Sequence, residues 1–219
     1  MSSLIHNPEV TYISTDDPIK VQQLLSSLTA PIVACDFETA SRYTDEEKAA
    51  FQEQLSTVTP NSVEYHTLLQ RINSDGLSHP SLSRITHMSL AYSETEAYVF
   101  IVPTPEMESL IYSWITTTPI KQVWHNLCFD GKHIFYNTGT FPQNYEDSQI
   151  LAKTLLNHVN NQKSLTGLKH LMAYKYGAWA IASESFHLSQ MYDPQVLHYA
   201  AIDACATRSL WNDIQSSLH

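Results

Sequence analysis

The chain has 219 residues, 43% of them hydrophobic, with only 5 glycines, 22 acidic against 12 basic side chains and a formal net charge of −10. That length suits one domain with a sizeable core, and the composition excludes a disordered or fibrous chain. Three cysteines without a C-x-x-C pair argue against a disulfide framework or a zinc site, and the acidic balance argues against broad contact with phosphates, so a nucleic-acid ligand would be held weakly or delivered by a partner.

In chain order, residues 10–14 read as a short strand and 17–27 as a helix. Asp17 caps that helix, Pro18 opens it, and Ile19, Leu24, Leu25 and Leu28 face inward. The stretch PIVACDFET, ending at Thr39, is an apolar run that closes on Asp36-Phe37-Glu38, the end of a buried strand. Alternation puts Asp36 and Glu38 on one side. Two carboxylates a strand-step apart repel unless a cation lies between them, and hard divalent ions such as Mg2+ take such oxygens. Residues 41–83 hold two helical patterns, at 44–55 and 61–72, then the polar run NSDGLSHPSLS. A connection this long either overhangs the carboxylates or is a surface insertion.

Residues 84–92 and 96–102 read as an antiparallel hairpin turning at 93–95. A helix at 105–115 follows, then a strand at 122–124. The segment HNLCFD next places Asn126 and Asp130 on a helix that starts near Leu127 and stops near Gly139. Residues 146–157, with Asp147 inside them, read as another helix. Ser164 caps a helix through Tyr176 with Leu165, Leu168, Leu171 and Met172 as its stripe; residues 178–192 read only as a polar-aromatic connection. The last helix, 193–211, starts at Asp193 and Pro194 and carries Tyr199, Asp203 and Thr207 at four-residue spacing, within about 40° per step of one face. Strands interleaved with helices predict an α/β fold, a mixed central sheet with helices on both faces. Cys35, Cys128 and Cys205 are expected as small buried fillers.

The patterns D-x-E-T at a strand end, H-N-x-x-F-D after a second strand and Y-x-x-x-D on a late helix, in this order, resemble the three motifs of the DEDD 3′–5′ exonucleases. The resemblance spans about residues 11–210. YAAIDACAT is similar to the third motif of the proofreading domains of family A (polymerase I-like) DNA polymerases, and more loosely to that of RNase D. The resemblance implies a ribonuclease H-like fold, one exonuclease domain over residues 1–219 with a helical insertion at about 41–83, and two divalent ions, Mg2+ or Mn2+. It implies Asp36 as the bridge between the ions, Glu38 and Asp203 completing the site of the water-activating ion, and Asp130 holding the second. Tyr199 would orient the attacking water, while Thr39 and Asn126 match positions that contact the terminal nucleotide. Asp147 matches an acid that braces the site without binding metal.

His198 stands five residues before Asp203, the mark of a sister subgroup with a histidine base. A helix that begins at Pro194 places His198 about 140° from Asp203 and Tyr199 within about 40°, which selects the tyrosine subgroup, DEDDy. His125 reads as a substrate contact or a structural hydrogen bond. The expected activity is 3′–5′ exonucleolytic hydrolysis of single-stranded or mismatched DNA to nucleoside monophosphates, in proofreading or DNA-end processing. The alternatives are RNase D-like trimming of RNA 3′ ends, or an accessory subunit that docks a separate DNA polymerase. With no polymerase domain following, the chain resembles a proofreading module standing alone. The absence of a signal peptide, apolar span or lipidation motif gives the expectation of a soluble cytoplasmic protein without membrane contact.

Overall fold

The computed structural model describes residues 8–156, 165–179 and 187–218. Six strands form one sheet: β1 (Thr11–Thr15), β2 (Ile32–Ser41), β3 (Ser83–Ala91), β4 (Glu96–Ile101), β5 (Lys121–Trp124) and β6 (Tyr145–Asp147). Their order across the sheet is β1-β4-β3-β2-β5-β6. The β2–β3 and β3–β4 pairs are antiparallel, while β1–β4, β2–β5 and β5–β6 are parallel. The described helices are α1 (Pro18–Ser26), α2 (Asp45–Leu55), α3 (Val63–Ile72), α4 (Pro105–Thr117), α5 (Leu127–Thr138), α6 (Ser148–Leu155), α7 (Leu168–Tyr176) and α8 (Pro194–Ser217), with a short 3-10 turn at Leu188–Gln190.

The two faces of β2 divide the core. Val33, Cys35 and Phe37 face α1, α4 and α5, packing with Val21, Leu25, Ile111, Ile115 and Ile134. Ala34 faces the other way, into a cluster with Ala200, Ala201, Ala204 and Cys205 of α8. Asp36 and Glu38 share the parity of Ala34, so they emerge on the α8 face. Ala200, Ala201 and Ala204 are wholly buried, and their small side chains let α8 lie close against the sheet. Between Glu38 and Thr39 the β2–β3 register slips, leaving Thr86 as the extra residue of a β-bulge; its hydroxyl donates to the Glu38 carbonyl at 3.1 Å.

The 41–83 connection folds as α2 and α3, packed on each other and capped by Thr44 and Ser62. Ser41 and Ser74 share a hydrogen bond, Arg42 Nε donates to the Pro80 carbonyl, and Lys48 pairs with Asp75. These contacts tie the helical pair to the end of β2.

Three expectations change. Ile19 is 68% exposed, because it stands about 200° around the helix from Val21, which together with Leu25 sets the inward face. Residues 145–147 form strand β6 rather than the start of a helix: Glu146 pairs with Val123, and Asp147 caps α6 by accepting from the Gln149 and Ile150 amides. Cys128 is exposed on α5, whereas Cys35 and Cys205 are buried. The cap expected at Ser164 lies outside the described residues, and α7 begins after Gly167. Among the described residues no helix is long and apolar enough to cross a membrane.

Candidate active site

Three elements deliver acid groups to one cavity of about 300 Å3 on the α8 face of the sheet. From β2 come Asp36, Glu38 and Thr39; from α8, Tyr199 and Asp203; from the start of α5, Asn126, Phe129 and Asp130. Every site residue expected from the sequence lines this cavity. One carboxylate oxygen each of Asp36, Glu38 and Asp203 lies within 4.8 Å of the other two. His125 and Lys169 complete the lining. Thr207 is buried one turn further along α8, outside that lining.

A tight turn places Asp130. Asn126 adopts the left-handed conformation, φ 66 and ψ 55, which asparagine tolerates better than most residues. The Asn126 and Leu127 amides both donate to the Asp147 carboxylate, at 3.1 and 2.8 Å. Asp147 therefore holds the start of α5 and caps α6 together. Asp130 follows one turn later, 2% exposed, accepting from the Phe37 amide.

Burial raises the pKa of all four carboxyl groups, and for Asp36, Glu38 and Asp130 a neighbouring carboxylate is the next cause. Asp203 is relieved by Lys169, whose Nζ lies 3.2 Å from Oδ2, and by Trp179, whose indole N–H donates to Oδ1 at 2.5 Å. The Lys169 ammonium also sits 4.7 Å from the centre of the Tyr199 ring. Burial raises the Tyr199 phenol too, followed by the charge of Asp203, so the hydroxyl stays protonated and bonds the Asp203 carboxylate. Glu38 Oε1 and Asp130 Oδ1 are buried with no hydrogen-bond partner among the described residues. Orphaned, hard oxygen donors from separate elements are what a divalent cation requires, so this residue set fits Mg2+ or Mn2+.

His198 does not reach the cavity. It is exposed, and its ring lies 6.1 Å from that of Tyr12. His125 is a structural residue in its bonding: its two ring nitrogens meet Ser148 Oγ at 2.9 Å and the Thr166 carbonyl at 3.0 Å. Burial lowers its pKa to about 4, so it stays neutral at physiological pH. Lys169 and Trp179 were not expected at the site. Lys169 stands in SLTGLKHL as one polar position beside an apolar stripe, and Trp179 lies in a connection without periodicity, so neither carries a spacing signal.

No protein-family model matches the chain, and no curated protein does. Solved structures resemble it in fold. Brucella melitensis NrnC with bound Mg2+ matches with a TM-score of 0.58 at 14% identity, covering 97% of this chain and 82% of that one. The catalytic core of RRP6 from Trypanosoma brucei matches with a TM-score of 0.58 at 14% identity, over 99% of this chain and 49% of that one. Trypanosoma brucei RNase D matches with a TM-score of 0.50 at 16% identity, over 95% and 64%. The chain shares the fold of these proteins, a ribonuclease H-like mixed sheet flanked by helices.

Proposed function

We propose that the protein is a divalent-metal-dependent 3′–5′ exonuclease of the DEDD type that removes nucleotides from RNA 3′ ends. The observation that carries this reading is the convergence of Asp36, Glu38 and Asp203 within 4.8 Å, in a cavity that also holds Asp130, Tyr199, Asn126 and Phe129. Asp36, Glu38, Asp130 and Asp203 are the residues that would hold two ions. Such ions, when bound, supply an activated water at neutral pH and neutralise the charge of the phosphoryl transition state.

The chain's own groups do the rest. Tyr199 presents a protonated hydroxyl beside Asp203, placed to orient a water by donating to or accepting from it. Lys169 brings a positive charge to the same carboxylate and offers it to the phosphate that is cut. Asn126 leaves its side-chain amide uncommitted to a helix cap, at the rim of the cavity, where it can hydrogen-bond a sugar or base. Phe129 gives a ring for stacking the terminal base.

RNA is favoured over the DNA substrate first expected. Among the structures similar in fold, one is named RNase D, and Brucella melitensis NrnC also has a structure with pGG bound. The narrower likeness of YAAIDACAT to family A proofreading domains gains no support from these structures, nor does a polymerase partner. The test is digestion of 5′-labelled RNA and DNA of one sequence, with Mg2+, Mn2+ or chelator. We expect a ladder that shortens from the 3′ end, faster on RNA, and no cleavage in chelator. Undiminished cleavage in excess chelator would refute the metal reading, and faster loss of DNA would return the substrate to deoxyribonucleotides.

A further inference from the structure

We propose that the outer face of α5, carried by Phe129, Lys132 and Tyr136 with His79 opposite, is the track for the two or three nucleotides that precede the scissile one. This rests on the nuclease reading above and adds a binding surface to it. At about 100° per residue, positions 129, 132 and 136 fall within about 60° of one another on the helix. Phe129 belongs both to the lining of the cavity and to this strip, so the strip continues the cavity outward.

The chemistry alternates as single-stranded nucleic acid needs. Lys132 Nζ lies 5.3 Å from the centre of the Phe129 ring and 3.3 Å from Ser78 Oγ. Among the described residues Lys132 makes no ion pair, unlike Lys48, Lys121, Lys169 and Lys175, each of which meets a carboxylate. In a chain of net charge −10, this leaves a positive charge open to a phosphate beside the cavity mouth. One turn beyond, the Tyr136 ring is 56% exposed, and His79 from the 73–82 run stands against it with ring centres 6.5 Å apart at 72°. An edge-on histidine leaves a face of the tyrosine ring open to a base. With a rise of about 1.5 Å per residue, Phe129 and Tyr136 are roughly 10 Å apart along the helix. Stacked nucleotides advance about 3.4 Å each, so the strip suits roughly two to three of them. Aromatic faces interleaved with a cation bind strands with little sequence preference.

The test compares kcat and KM with Mg2+ for a 5′-labelled ribodinucleotide and a hexanucleotide, in the wild type, Tyr136→Ala and Lys132→Ala. Both side chains are exposed, so the fold is expected to survive, as melting curves check. We expect each variant to lose about ten-fold in kcat/KM on the hexanucleotide, through KM, and to stay within about two-fold on the dinucleotide, whose one preceding nucleotide reaches no further along the strip than Phe129. Variants that match the wild type on both substrates would overturn the track and leave the nuclease reading standing. Equal losses on both would also overturn it, since the residues would then act at the cavity itself. A wild type that cuts neither substrate would refute the reading as a nuclease of RNA 3′ ends and the track with it.

Discussion

Tyr199 and His198 are adjacent in sequence and opposite in surroundings. Tyr199 is 8% exposed, under the Lys169 ammonium and bonded to Asp203; His198 lies on the outer side of α8. The cause is the helix start at Pro194, capped by Asp193, which fixes the rotation of every residue after it. Tyr199→Phe removes one hydroxyl from the cavity and keeps the ring packed. It should lower kcat on a 5′-labelled oligoribonucleotide by roughly ten- to a thousand-fold, the range of a lost positioning hydrogen bond. His198→Ala should stay within about two-fold. The reverse order, a nearly normal Tyr199→Phe and a dead His198→Ala, would place the water-orienting group on the histidine.

At the scale of elements, the positioning of Asp130 depends on Asp147, which binds two amides at the start of α5 and two at the start of α6. Asp147→Ala leaves those amides without their partner, at a cost on the order of 2 kcal/mol in stability. It should also shift the Mg2+ concentration for half-maximal activity upward by about ten-fold, as happens when groups that support a metal's ligands are removed. A melting temperature that falls while the Mg2+ midpoint stays fixed would mean that Asp147 only joins the two helices. The start of this arrangement was legible in the sequence: alternation along PIVACDFET and the four-residue step from Tyr199 to Asp203 both follow from local geometry. What lay hidden depends on distant pairing. Tyr145–Asp147 becomes a strand because β5 offers it a parallel edge, a fact no three-residue window contains. Lys169 finds Asp203 because α7 packs on α8, across 34 residues of chain.

For the molecule as a whole, the four carboxyl groups of the cavity set a conflict between folding and charge. Their folded-state pKa values lie above the ordinary value near 4. A carboxyl raised in this way stabilises the fold below its unfolded value, and that contribution is lost as pH rises through the folded value. In chelator, therefore, the melting temperature should fall as pH climbs from about 4 toward 8, because the ionised groups face one another with Lys169 as the cation beside them. Added Mg2+ should reverse this loss at neutral pH. At a hundred times its dissociation constant, a bound ion adds about 2.7 kcal/mol, and at about 2–4 °C per kcal/mol for a chain of this size the rise is roughly 5–11 °C.

Asp36→Asn isolates the electrostatic part of that effect, since the amide keeps the shape and removes one charge from the centre of the cluster. In chelator at pH 8 this variant should melt above the wild type by about 2–4 °C, if relief of repulsion is worth on the order of 1 kcal/mol. At pH 4 the two should converge, because the wild-type carboxyl is then protonated. With Mg2+ the order should invert, since the wild type gains the ion and the variant binds it poorly. Differential scanning fluorimetry across pH, with and without Mg2+, reads all three conditions. An Asp36→Asn protein that melts lower in chelator and gains as much from Mg2+ as the wild type would show that the charge of Asp36 neither strains the fold nor holds the ion.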